Sequence, residues 1–332
     1  MTEPRYARAT RNGRYYQDPL DGVLVPSCTN VLAEWAKPAL APAAAKVTAR
    51  YVMDHLPQAI RAARTPATLA QFISGATREF RRVWDERMQL GSAVHHAAEG
   101  MVLGRPGTPP PQVLPFLASY RRWMRDFGVV VPQDVFATEI TVFGRGPVRY
   151  GATADLMVHL EFTSDWSDPD PRFRGRTPDK IHTPSGLWLL DLKTSLTKPA
   201  SARYRDNVLQ LAAIRYGHAM RLPDDTEIEV PEFAGTAVLN LRRDRYGFIP
   251  LPAGPQAFAA FTSLVPVARY AHRLTLTPCR PVAATAAARR PGHHTGPRAD
   301  SGADHRADSG AVPGTPDTAG TGHADPDAKG AV

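Results

Sequence analysis

Asp155, Asp191 and Lys193 are the side chains whose types and spacing could carry phosphodiester chemistry. In GLWLLDLKTS, Asp191 and Lys193 stand two apart, and side chains alternate along a strand, so both emerge on one face. A carboxylate there can hold Mg²⁺ or Mn²⁺. A neighbouring ammonium can steer water and offset the negative charge that builds at a phosphorus centre. Asp155, closing the strand-like YGATAD, supplies a second carboxylate, and Gly151 ahead of it allows a sharp bend or a close backbone approach. His95 lies four after Gly91 and four before Glu99, so on a helix the three share a face. An imidazole in an otherwise oxygen-rich site tilts the choice of ion towards Mn²⁺. Gln210 falls on the helical segment after the Asp-x-Lys strand, within reach of the lysine or a substrate phosphate.

Each of these residues has a plainer reading when taken alone. An Asp-x-Lys pair is a common surface ion pair. His95 alone reads as a hydrogen-bonded helix histidine, His96 as exposed, and Glu139 as a structural or solvated carboxylate. What distinguishes the set is its order along the chain.

The elements that must position the set follow from periodicity. Residues 1–90 read as an N-terminal helical region, with Val31, Leu32 and Trp35, then Val47 and Val52, then Leu69, Phe72 and Ile73 at spacings near three and four. Pro38, Pro42, Pro57 and Pro66 divide it into short helices. A longer helix is expected from about Thr77 to Val102, carrying His95, and another in TPPPQVLPFLASYRRWMRDFG, stopping near Gly128. Then the period changes. DVFATEITVFG, RYGATADLMVHLEF and SGLWLLDLKTS read as three strands, DNVLQLAAIRYG as a helix, and GTAVLNLRR and YGFIPL as two more strands. This order suits an α/β fold with a central mixed sheet flanked by helices. The segment TSDWSDPDPRFRGRTPDKIHTP reads as a surface loop whose Arg172, Arg174, Arg176 and Lys180 could grip phosphates.

Composition sets the setting. The 332 residues carry a net charge of +8, which favours an anionic partner because basic side chains displace counterions condensed on a polyphosphate. The two cysteines, Cys28 and Cys279, sit in no Cys-x-x-Cys pattern and are expected as reduced thiols. No run of apolar residues is long enough for a membrane span and the N-terminus has no apolar signal core, so a soluble, cytoplasmic protein is expected. From Pro281 onward there is no Leu, Ile, Met, Phe, Trp or Tyr, so residues 281–332 are expected to be a disordered, low-complexity tail. Trp35 and Trp84 could stack single-stranded bases, with core packing as the plainer expectation.

Taken in order, LGSAVHHAAEG, GATAD, LLDLKTS and DNVLQLAAIRYG resemble the PD-(D/E)XK nuclease superfamily, in its RecB-like exonuclease branch. The sites of that branch read G-T/S-x-x-H, G-x-x-D, D-x-K and Q-x-x-x-Y. The match runs from Gly91 to Tyr216, and NVLAEWAKPALAPAAAK also looks like the opening of phage-encoded members. The resemblance implies a restriction-endonuclease-like core over residues 91–280. It implies His95, Asp155, Asp191 and the main-chain carbonyl of Leu192 as ligands of Mg²⁺ or Mn²⁺, Lys193 as the catalytic lysine, and Gln210 in the glutamine role. Two departures stand out: Gly151 precedes Asp155 by four, and the position four after Gln210 is Ile214, with Tyr216 the nearest following aromatic. Relatives with an iron–sulfur cluster use four cysteines, so no cluster is expected here. The activity implied is hydrolysis at DNA ends in recombination, repair or phage replication, alongside a recombination or replication protein partner. The alternatives are a nuclease-fold protein that binds DNA without cutting, an endonuclease, and a nuclease acting on RNA.

Overall fold

The N-terminal segment is not helical throughout, as its periodicity suggested. It opens with strands β1 (Ala7–Thr10), β2 (Gly13–Gln17) and β3 (Leu24–Pro26), which form a small antiparallel sheet. The cause is local: Asn12-Gly13 is a tight-turn signal, and Gly13, which opens β2 opposite Thr10, adopts φ +92°. Helices α1 (Cys28–Ala33), α2 (Leu40–Asp54), α3 (Leu56–Ala62) and α4 (Pro66–Val102) follow. Pro42 falls within the first turn of α2, Pro57 near the start of α3 and Pro66 at the first position of α4, where a missing N–H costs nothing. Thr65 caps α4 by accepting from the Thr68 N–H. The helix therefore starts earlier than expected and runs for 37 residues.

The structure is a computed structural model that describes residues 4–35, 37–105, 107–162 and 184–274. The Arg172–Lys180 loop, Cys279 and the tail from Pro281 lie outside them. Met1–Thr275 forms one compact unit, which crosses residue 90 without a break because α4 spans it.

After α5 (Leu114–Asp126) come β4 (Val135–Arg145), β5 (Arg149–Leu160), β6 (Gly186–Thr194), α6 (Arg205–Arg215), β7 (Ala219–Arg221), β8 (Glu227–Glu229), β9 (Gly235–Leu241), β10 (Tyr246–Pro250) and α7 (Pro255–Arg273). The five expected strands lie side by side in one mixed sheet of order β10-β9-β6-β5-β4-β7-β8, with two short strands added at an edge. All neighbours are antiparallel except β6 and β9, which are parallel. A parallel pair needs a crossover, and α6 lies in the connection between these two strands.

The sheet buries both faces. On one, Leu187, Leu189 and Val238 meet α1, α6 and α7 through Val31, Leu211 and Phe261. On the other, Leu190, Leu192 and Leu239 meet the C-terminal half of α4 and α5 through Val94, Phe116 and Trp123. Helix α7, which runs through Pro266 without a break, had no counterpart in the periodicity reading.

The small sheet docks on β5 at Gly151. A Cβ there would lie 2.5 Å from the Tyr16 ring, so the close backbone approach expected of this glycine is a seat for an aromatic ring. Next to it, Asp18 is fully buried. Arg145 grips it in a fork (2.7 and 2.9 Å), and Arg149 donates to the same carboxylate at 2.7 Å. Arg145, at the end of β4, also pairs with Glu227 of β8 (2.6 Å), so one guanidinium links the residue after β2 to the edge strand of the large sheet.

Burial disfavours the charged Asp18, but the two arginines outweigh it and hold the carboxyl below its usual range. A depressed carboxyl contributes stability that is present above the unfolded-state pKa near 4 and is lost as pH falls through the lower folded value. We expect Asp18→Asn to cost about 1–3 kcal/mol, because it removes the buried charge that two part-buried guanidinium groups share, while Glu227 and Asp21 still pair with them. Urea unfolding at neutral pH and at successively lower pH checks this: the wild-type advantage over the variant should shrink on acidification, and a constant gap would contradict the assignment.

Candidate metal centre

The strand registers bring three carboxylates into one row. Leu156 pairs with Leu190, so one step along, Asp155 stands opposite Asp191. Thr138 pairs with Leu156 and Ile140 with Ala154, which sets Glu139 opposite Asp155. The backbone is irregular at this point. Glu139 has φ +49°, rare for a residue with a side chain, and Ala154 and Met157 join the same core cluster although strict alternation would part them.

Asp191 and Lys193 emerge on one face, as alternation requires. Lys193 Nζ donates to Asp191 Oδ1 at 2.5 Å, and Gln210 Nε2, from α6, donates to the same oxygen at 3.0 Å. The other oxygen, Asp191 Oδ2, is buried and has no hydrogen-bond partner among the described residues. Asp155 Oδ2 accepts from the Leu192 N–H at 2.7 Å. His95 reaches across from α4: its Nε2 lies 2.9 Å from the Leu192 carbonyl, and its Nδ1 faces Glu139 Oε1 at 3.6 Å and Asp155 Oδ1 at 3.8 Å.

The expected residues thus converge, with two differences. Glu139, expected as a structural or solvated carboxylate, joins His95 and Asp155 in a cluster whose potential ligand atoms lie within 4.8 Å of one another. The Leu192 carbonyl, expected as a ligand, is met here by the imidazole. Only the strand register, which periodicity does not fix, could have signalled Glu139. The cluster fits a divalent cation: two carboxylates and an imidazole converge, and the adjacent orphaned Asp191 oxygen is a buried acceptor needing a positive partner.

Electrostatics point the same way. Burial raises Asp191 to about 6 against the pull of Lys193, and burial likewise raises Asp155, with Glu139 adding to the rise. Burial opposes charge on His95, yet Asp155 and Glu139 push it up to about 9. Burial also opposes the Lys193 ammonium, but Asp191 and Asp155 raise it, so it stays charged. A cluster that draws protons in this way is short of positive charge.

A cleft of about 300 Å³ opens over the cluster. Of the expected residues His95, Asp155, Lys193 and Gln210 line it and Asp191 and Leu192 do not; it is also lined by Arg14 and Tyr16 of β2, by Thr29 of α1 and by Ser92 of α4. Sequence reasoning missed Arg14, Tyr16 and Thr29, since nothing in the first strands and α1 marks them as neighbours of the sheet, whereas Ser92 falls within the quoted LGSAVHHAAEG. Gly91 fits because α4 passes close to β6, where an added Cβ would lie 3.3 Å from Thr194 Oγ1. His96 is exposed, as expected, and lies at the cleft beside Glu99. Cys28 is a free, buried thiol raised by burial, which keeps it protonated. Tyr216 ends α6 and packs on Phe258 with ring centroids 5.3 Å apart, while Ile214 is core. Neither lines the cleft.

No protein-family model matches the chain, and neither does any curated protein. No helix among the described residues is long and apolar enough to cross a membrane.

Mn²⁺ is expected to stabilise the protein, by about 2.7 kcal/mol at a hundredfold excess over Kd. Glu139→Gln should weaken the ion at least about tenfold, because it removes a charged ligand from the cluster. Thermal unfolding against Mn²⁺ concentration measures both. An unchanged Kd in the variant would remove Glu139 from the ligand set.

Proposed function

We propose that the chain is a metal-dependent nuclease of the PD-(D/E)XK type, with a restriction-endonuclease-like core, hydrolysing phosphodiester bonds at DNA ends. The observation that carries the reading is the meeting of Asp155, Asp191, Lys193, His95 and Gln210, drawn from two strands and two helices, around one buried acidic cluster. Their order along the chain is that of the RecB-like branch.

In this reading His95, Glu139 and Asp155 would hold Mg²⁺ or Mn²⁺, with Asp191 across from Asp155 on the neighbouring strand. The ion supplies Lewis-acid polarisation of the phosphate and charge neutralisation when bound. Lys193, kept as an ammonium, donates to a phosphate oxygen and offsets the charge that develops as water attacks phosphorus and the bond to the departing ribose oxygen breaks. Gln210 positions Asp191 by holding one oxygen, which leaves the other for the cluster. Arg14, exposed on the cleft wall, gives a flanking phosphate a second cation. The net charge of +8 supports a polyanionic substrate.

The test is digestion of end-labelled linear DNA beside closed circles and matched RNA, with Mg²⁺ or Mn²⁺. Linear DNA should be degraded while circles and RNA persist, and Lys193→Ala and Asp155→Asn should each lower the rate by about 10²–10³-fold, the scale of losing one transition-state donor. DNA binding without cleavage would instead support a silent nuclease fold, and cut circles an endonuclease.

A further inference from the structure

Helix α4 does more than deliver His95. Its first turns pack against α2 and α3, where Tyr51 meets Phe72 at 5.8 Å between ring centroids, and its last turns enter the core through Val94 and Ala98. Between these two anchorages residues 84–89 are all exposed, so no described element covers this part of the helix. A bare stretch of this kind is solvated on every side, and an apolar group on it is unusual. Trp84 and Met88 nonetheless stand there, 41% and 55% exposed.

Their direction is what matters. At about 100° per residue, Trp84, Met88 and Arg81 all project within about 40° of the His95 direction. The cleft-lining positions Gly91, Ser92, His95 and Glu99 of α4 share this side of the helix. At about 1.5 Å rise per residue, Trp84 stands about 16 Å from His95 along the helix axis. Charges sort between the two sides. Arg82 turns away from this face, bound to Glu79 and Glu86, which also point away. Arg81 faces the same way as the cleft and pairs with no carboxylate among the described residues, while Asp85 lies at the margin of the face. Phe80 braces the indole, with ring centroids 5.6 Å apart.

We infer that this face of α4, through Arg81, Trp84 and Met88, is a track for a single nucleic-acid strand leading into the cleft, with a base stacked on Trp84 and a phosphate on Arg81. The inference rests on the nuclease reading for what happens in the cleft, but the binding it describes does not need cleavage. A single strand is the occupant the chemistry favours. A planar exposed indole offers its face to any base, and a cation one helical turn away suits the phosphate repeat. A duplex keeps its bases stacked inside and offers the indole nothing to cover.

Binding of fluorescein-labelled oligo(dT) is measured by anisotropy in EDTA across a salt series, for wild type, Trp84→Ala, Trp84→Phe and Arg81→Gln. Each protein is also assayed with bis(p-nitrophenyl) phosphate and Mn²⁺, a phosphodiester too small to reach Trp84, and run by size exclusion. We expect Trp84→Ala to weaken oligonucleotide binding about tenfold and Trp84→Phe to recover most of the loss. Arg81→Gln should make the slope of log K against log salt shallower by about 0.7, one phosphate contact on a single strand. Turnover of the small diester should be unchanged in all three. Oligonucleotide affinity that is unchanged in Trp84→Ala, or absent in wild type, overturns the track. So does a wild-type self-association that Trp84→Ala abolishes without changing oligonucleotide affinity, since the patch would then join two copies of the chain. If wild type turns over neither DNA nor the small diester but Trp84→Ala still loses oligonucleotide affinity, the nuclease reading fails and the track stands.

Discussion

The row of carboxylates across β4, β5 and β6 is the constraint around which this structure is organised. Two unit charges about 4 Å apart repel by about 4 kcal/mol at an effective dielectric near 20, and burial adds a further cost to each. Such a row persists only with positive charge and donors aimed at it. The surroundings of Asp191 and Asp155 supply them in sequence order: the His95 imidazole from α4, the Leu192 N–H and Lys193 ammonium from β6, and the Gln210 amide from α6. Helices α4 and α6, on opposite faces of the sheet, contribute one such group each. The helix packing and the electrostatics of the centre are therefore two aspects of one arrangement.

Strain enters at the same place. Glu139 takes a left-handed conformation inside a strand, and β5 loses its strict alternation opposite it. A conformation of this kind costs about 1–3 kcal/mol and persists only where its surroundings over-determine it. Here the ladder continues on either side of Glu139, through Thr138 with Leu156 and Ile140 with Ala154, and Thr138 Oγ1 donates to the Asp155 carbonyl at 2.9 Å. The flanking pairs hold the strand while the strained residue turns its carboxylate towards His95.

What the sequence made legible follows from how far each signal reaches. Alternation is local, so Asp191 and Lys193 could be assigned to one face before any pairing was known. Helical spacing is equally local, and it put Gly91, His95 and Glu99 on one side of α4. The five central strands were readable because Val, Ile, Leu and Thr fill them. Glu139 was not readable as part of the cluster, because its role depends on which residue of β5 it faces, a long-range fact of register. The first three strands were obscured by short length and by arginine and tyrosine in place of aliphatic residues, although Asn12-Gly13 carried the turn. Trp84 was expected in a core because tryptophan usually buries, and only the tertiary arrangement leaves that part of α4 uncovered.

The asymmetry at Asp191 indicates how the centre divides its tasks. Lys193 and Gln210 both donate to Oδ1, so the carboxylate cannot rotate without losing two hydrogen bonds, and Oδ2 is left buried with no partner among the described residues. An unsatisfied buried acceptor ordinarily costs about 1–3 kcal/mol. Here the two donors on Oδ1 fix where that oxygen stands. Lys193 is held by the same contact yet remains partly exposed to the cleft, which leaves its remaining protons facing the opening. One short ion pair thus orients the Asp191 carboxylate on its buried side and presents a cation on its open side.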